Sequence, residues 1–130
     1  MHTDLLLDAN FLVLPFQRNI EIFDEFERLV GAGYTVHTLD RTLNEAIQLD
    51  DGTYRQLVQK LVDLKDIGVI NAPADRPVDD ALVQYGRDGF VVCTNDTEVK
   101  RELADRHLPH IYLRQLNHLE GRFLRGSQDG

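Results

Sequence analysis

Apolar and polar positions follow two periods along this chain. Five short runs are apolar almost throughout: Asp4 to Asp8, Tyr34 to His37, Gly68 to Ile70, Phe90 to Thr94 and His110 to Leu113. Short runs of this kind predict strands covered on both faces. Between them, apolar residues recur every three or four positions. Asn19 to Val30 sets Ile22, Phe23, Phe26, Leu29 and Val30 on one helical face, with Asn19 as the expected N-cap and Gly31 and Gly33 as the stop. The same spacing predicts helices over Asp40 to Leu49, Tyr54 to Leu64, Asp79 to Tyr85 and Asp96 to Arg106. Ala72 and Pro73 break the third strand.

Strands that alternate with helices specify an α/β fold with a parallel sheet and helices on both faces. Short right-handed crossovers restrict it to a doubly wound sheet of about five strands, expected in the order 3-2-1-4-5. At 130 residues the chain is one domain, 1–130, with a core over 1–113 and a C-terminal tail over 114–130. The last residues, Ser127 to Gly130, are expected to fray. Leu116, Leu119, Phe123 and Leu124 are too apolar for a free end. They pack back on the domain or on a second subunit, as in a homodimer.

Composition narrows the picture. A single cysteine, Cys93, excludes an intramolecular disulfide and fits a reducing compartment. No apolar run approaches a membrane span, and the N-terminal run is interrupted at Asp8, so the expectation is a soluble, cytoplasmic protein with no membrane partner. The formal charge is −8, with 15 Asp, 7 Glu, 11 Arg and 3 Lys. An Asp-rich, Lys-poor balance fits a salt-accumulating halophile and equally an ordinary acidic cytosolic protein. Such a chain does not draw in polyanions by its overall field; local arginines or bound metal must do so.

The acids are not scattered at random. In LLLDANFLVLPF, Asp8 interrupts an apolar segment at the carboxyl end of the first strand. An ionised carboxylate there costs several kcal/mol unless it is paired or binds a cation. Asp96, in VVCTND, lies just past the fourth strand, adjacent to the first in the expected order. Glu45 lies on the helix after strand two, and Asp79 and Asp80 open the helix before strand four. All fall at the edge where doubly wound sheets bind ligands. Clustered carboxylates call for compensation, and hard divalent cations such as Mg²⁺ or Mn²⁺ supply it. One or two such ions can activate water and stabilise a leaving oxygen in phosphodiester hydrolysis. Each acid also has a plainer reading: Asp96 as an N-cap, Asp79 and Asp80 as partners of a helix dipole, Glu45 as a solvated surface acid.

These stretches resemble the PIN-domain nucleases, small Rossmann-like proteins that cut RNA at an acidic, Mg²⁺- or Mn²⁺-binding site. LLLDAN matches the opening strand with its Asp-x-Asn, TLNEA the helix with the second acid, VDDAL the third motif and CTND the fourth. Within the family, FLVLPFQRNIEIFDEFERL, VDDALVQYG, TNDTEVKREL and HIYLR resemble the archaeal group related to the small-subunit processome nuclease. The resemblance implies an endoribonuclease with Asp8, Glu45, Asp79 and Asp96 as catalytic metal ligands. It implies Asn10 and Thr94 in support, with Asp80 beside them. Asp79 is preferred to Asp80 because it leaves the helix free to bury its apolar stripe. The chain departs from the family at Ala9, where Thr is common.

An RNA substrate, such as precursor ribosomal RNA or a ribosomal particle, must also be held. Arg18, Arg41, Lys100, Arg101 and Arg114 are the candidates, with Arg122 and Arg125 in the tail. Ordinary surface arginines balancing an acidic exterior are the alternative for each. His37 is read as structural. Two other functions stay open: a VapC-type toxin ribonuclease and a non-catalytic RNA-binding assembly factor. Phosphoaspartate domains fit poorly, since Asp8-Ala9-Asn10 lacks their second acid.

Overall fold

The computed structural model describes residues 2–124. Its elements run β1 (Thr3–Leu7), α1 (Ala9–Arg18), α2 (Ile22–Val30), β2 (Tyr34–Leu39), α3 (Asp40–Gly52), α4 (Arg55–Leu64), β3 (Gly68–Ile70), α5 (Val78–Arg87), β4 (Val91–Cys93), α6 (Thr97–Asp105), β5 (His110–Arg114) and β6 (His118–Arg122). The strands form one sheet in the order β3-β2-β1-β4-β5-β6. The first five are parallel, and β6 adds antiparallel to β5. The expected order 3-2-1-4-5 is present with a sixth strand appended.

Side-chain alternation explains why the strands read as continuous apolar runs. Leu5 and Leu7 of β1 enter a core shared with α1, α2 and α4, together with Val91, Cys93, Ile111 and Leu119. Leu6 and Val92 face the other way, onto α5 and α6 through Leu82, Val83, Val99 and Leu103. Both faces are therefore dry at the central strands β1 and β4. Gly86 lets the second layer close: a Cβ there would lie 3.1 Å from Leu103 Cδ2.

Two expectations are corrected. Residues 9–18 form a helix that the periodicity did not announce. Ala9, Phe11, Leu12, Val13 and Leu14 are all buried, so no polar face marks the helical period, and Pro15 lies inside. Consequently Asn19 is not the N-cap of the next helix. It is the C-cap of α1, in the left-handed conformation at φ 56° that asparagine tolerates, and α2 starts at Ile22.

The tail is the second correction. Residues 118–122 are a strand, and the turn before it rests on two successive left-handed residues, Gln115 at φ 54° and Leu116 at φ 63°. Tight hairpins favour Asn-Gly at such positions, so Gln-Leu hid this one. Leu119 is fully buried, and Leu124 packs on the core as expected of the tail. Leu116 and Phe123 stay exposed. Arg125 and the fraying expected of Ser127 to Gly130 lie outside the described residues.

Candidate active site

Because β1 to β5 are parallel, the residues that follow them gather at one edge. Asp8 follows β1, and its backbone N–H donates to the Cys93 carbonyl of β4 at 3.0 Å. It caps α1: its Oδ1 accepts the Ala9 N–H at 2.7 Å. Its Oδ2 accepts the hydroxyl of Thr94 at 2.8 Å. Asp8 is only 7% exposed, and Thr94 is fully buried. Burial pushes the Asp8 carboxyl above its ordinary range, the two hydrogen bonds oppose that, and the nearby Asp96 charge adds to it.

Thr94 also accepts the backbone N–H of Asp96 at 3.1 Å, so one hydroxyl links both aspartates. Asp96 caps α6, its Oδ1 accepting from Glu98 N–H at 2.9 Å and Val99 N–H at 3.0 Å. The N-cap reading of Asp96 is thus realised by one carboxylate oxygen. Asp79 sits in the first turn of α5, as does Asp80, and both line a shallow groove with Glu98 and Glu102 of α6. Asp79 is pushed up by partial burial, then by Asp96, Asp8, Glu98 and Asp80. Glu45, on α3, is pushed up by partial burial and then by Asp8, Asp79 and Asp96. Four acids from four separate segments therefore share one electrostatic environment. Glu45 responds to Asp79 as part of that set.

Residues with no acidic signal position these groups. Thr38 Oγ1 donates to the Leu7 carbonyl at 2.9 Å and bonds Thr42 at 2.7 Å, fixing β1 just before Asp8 and the helix that carries Glu45. Asp40 accepts the Ala72 N–H at 3.2 Å, and Arg41 donates to the Arg76 carbonyl at 2.6 Å. Both tie down the segment leading to Asp79. Asn95 accepts the Leu113 N–H at 2.8 Å and holds the end of β5 beside Asp96. Sequence reasoning missed Thr38, Thr42, Asp40 and Asn95, since only tertiary pairing gives them partners.

The other candidates spread more widely. Asn10 is exposed at the start of α1, next to Asp8. Arg18 lines a depression with Asn19, Glu21 and the hairpin residues Leu116 and Asn117. Lys100 lies over the Tyr112 ring, Arg101 is exposed on α6, and Arg114 pairs with Glu120. His37 bonds Asp4 at 3.1 Å and packs edge-on to Phe90 at the opposite edge of the sheet.

Among the described residues, no three His, Cys, Asp or Glu side chains converge into a ready-made metal cage. The donor set still suits Mg²⁺ or Mn²⁺. It is all carboxylate oxygen, burial and neighbouring negative charge push Asp8, Glu45 and Asp79 up, and such ions keep several waters between themselves and the protein. Asp8, Glu45, Asp79 and Asp96 are the residues that could hold them.

Comparison with known proteins agrees with this architecture. Ribonuclease VapC4 of Methanocaldococcus jannaschii is 25% identical over 121 residues, covering 87% of this chain and 92% of the relative. The solved structure of the PIN domain endonuclease Utp24 superposes with a TM-score of 0.73 at 20% identity, over 93% of this chain and 92% of that one. That likeness establishes a common fold. Residues 5–116 match the family described as PIN like domain, which is most of the chain and includes all four acids. The chain belongs to the PIN-like domain family.

Proposed function

We propose that this protein is an endoribonuclease that hydrolyses RNA phosphodiester bonds with Mg²⁺ or Mn²⁺ at the Asp8, Glu45, Asp79 and Asp96 edge. The observation that carries the reading is the gathering of acids from four segments at one sheet edge, where Asp8 is buried and tied through the Thr94 hydroxyl to the Asp96 backbone, and where burial first and neighbouring carboxylates second push Asp8, Asp79 and Glu45 up. Acids arranged at a cost to folding are a mark of a functional site. Family membership and the likeness to Ribonuclease VapC4 support the same chemistry.

The chain's own residues have distinct parts. Asp8 is held rigid by the Ala9 N–H and Thr94, so it offers a fixed carboxylate. Asp96 spends one oxygen on its helix and offers the other. Asp79 and Glu45 stand on separate helices and supply further carboxylates at the same edge. Asn10 is placed to position a phosphate. Bound divalent ions would neutralise the carboxylates, polarise the scissile phosphate and activate water.

Within this activity we place the protein in ribosomal RNA maturation. The stretches LPFQ, VDDALVQYG and HIYLR support that setting. The likeness to Ribonuclease VapC4 supports a second setting, a toxin ribonuclease with the same chemistry. The test is incubation of the purified protein with precursor ribosomal RNA and Mg²⁺ or Mn²⁺, at low and high salt, beside Asp8→Asn and Asp96→Asn. Asparagine keeps both helix caps while removing charge. Metal-dependent cleavage abolished in both variants is the expected result, and the cut positions separate the two settings. RNA binding without cleavage in wild type and variants alike would instead favour a non-catalytic assembly factor.

A further inference from the structure

The β5–β6 hairpin turns one face into the core, while along the other face exposure rises from the buried His110 to the half-buried Tyr112 and the exposed Arg114. Ile111, Leu113 and Leu119 turn inward. The register sets His110 opposite Arg122, Tyr112 opposite Glu120 and Arg114 opposite His118 on the other face. The Tyr112 ring is half-buried, and its hydroxyl donates to Glu120 Oε2 at 2.8 Å. Arg114 donates to the same oxygen at 3.0 Å. The Lys100 ammonium of α6 lies 5.2 Å over the Tyr112 ring, and the Arg122 guanidinium lies 4.9 Å over Phe123.

Lys100, Arg114 and Arg122 thus stand beside a hairpin face whose one carboxylate, Glu120, is already engaged by Tyr112 and Arg114. On a chain of formal charge −8 this is a local reversal of sign. Charges alone would only guard an edge strand against aggregation. Rings fixed in place and interleaved with cations do more: they match a nucleic acid whose bases are free to stack. The Arg114 end of this face lies at the carboxylate edge, where Asn95 joins β5 to the segment of Asp96. The Arg122 end lies at the far edge. β6 falls beyond residues 5–116, the stretch that matches the family.

We infer that this face is a track for single-stranded RNA, with a base stacked on Tyr112 and phosphates on Lys100, Arg114 and Arg122, leading to the four acids. In the free protein the Lys100 ammonium covers the ring; a base arriving there releases it to the adjoining phosphate. A duplex offers no free base face and is a poorer fit. The inference rests on the RNA-cleaving reading above.

The experiment is fluorescence anisotropy with a short labelled oligouridylate and with a matched duplex, in EDTA so that nothing is cut. Tyr112→Ala should weaken single-strand binding by about tenfold, the loss of one base–aromatic stack, while Tyr112→Phe keeps it. Arg122 is exposed, and Arg122→Ala should weaken binding and lower the slope of log affinity against log salt by roughly 0.7. Tyr112→Ala and Arg122→Ala binding as wild type does, or a duplex binding as tightly as the single strand, overturns the track. Cleavage by the wild type under Mg²⁺ or Mn²⁺ is measured alongside. Cleavage with binding indifferent to both variants refutes the track and leaves the nuclease standing; a wild type that neither binds nor cleaves RNA refutes both.

Discussion

Replacing Thr94 by Val removes one oxygen and keeps the shape of a fully buried side chain. That oxygen donates to Asp8 Oδ2 at 2.8 Å and accepts the Asp96 N–H at 3.1 Å. A hydrogen bond to an ionised group contributes about 1.5–3 kcal/mol, and a neutral one about 1 kcal/mol. The added methyl returns up to about 0.8 kcal/mol. Thr94→Val should therefore lose about 2–3 kcal/mol of stability near neutral pH. The pH dependence carries the sharper test. Burial raises the folded Asp8 carboxyl above its ordinary 3.8, so the folded state holds its proton more tightly than the unfolded state. Stability from this group is then lost as pH rises from the ordinary value through the folded one. Thr94 opposes that rise. Without its hydroxyl the folded value climbs further and the loss at neutral pH deepens. At pH below the folded value of Asp8 the carboxyl is protonated, and the deficit should shrink toward about 1 kcal/mol. Urea unfolding in EDTA, at neutral pH and below that folded value, measures both numbers. A double-mutant cycle with Asp8→Asn isolates the coupling. Equal deficits at the two pH values, with no coupling to Asp8→Asn, would refute the reasoning.

Asp79 and Asp80 should separate in function. Asp79→Asn is expected to lower cleavage by on the order of a hundredfold or more, and Asp80→Asn by only a few-fold, in rates measured at saturating Mn²⁺; equal losses would move the role to the pair. Arg28 bonds the Leu119 carbonyl at 2.7 Å and Glu25 at 3.0 Å, while Glu25 accepts the Leu119 N–H at 2.8 Å. Arg28→Ala should cost about 1 kcal/mol and speed amide exchange across residues 119–122 while β1 to β4 keep their protection. Unchanged exchange in β6 would show that α2 does not hold that strand.

Much of the fold was legible because both faces of the sheet are dry at its centre. Leu5, Leu6 and Leu7 are each fully buried, Leu6 on the face opposite its two neighbours, and so form an unbroken apolar run. The same rule concealed α1, whose burial removes the polar face that reveals a helix. Asp8 stood out because it is a charged residue buried between two apolar runs, 5–7 and 11–14. Glu45 and Asp79 were less distinct, since exposed helix acids are common, and their order along the chain made the set recognisable.

What the sequence by itself determined is therefore the α/β alternation and, given a parallel sheet, the edge at which the acids lie. These follow from periodicity and from the handedness of parallel crossovers, which are local or nearly local rules. Only the tertiary structure decided the partners. Thr94 meets Asp8 across 86 positions, Arg28 meets Leu119 across 91, and Tyr112 finds Glu120 because β6 closes a turn with no turn signature. Hydrogen bonds and ring contacts act over a few ångströms and leave no period in the sequence. Which side chains meet is set by strand register and helix docking, and those emerge when the whole core packs at once.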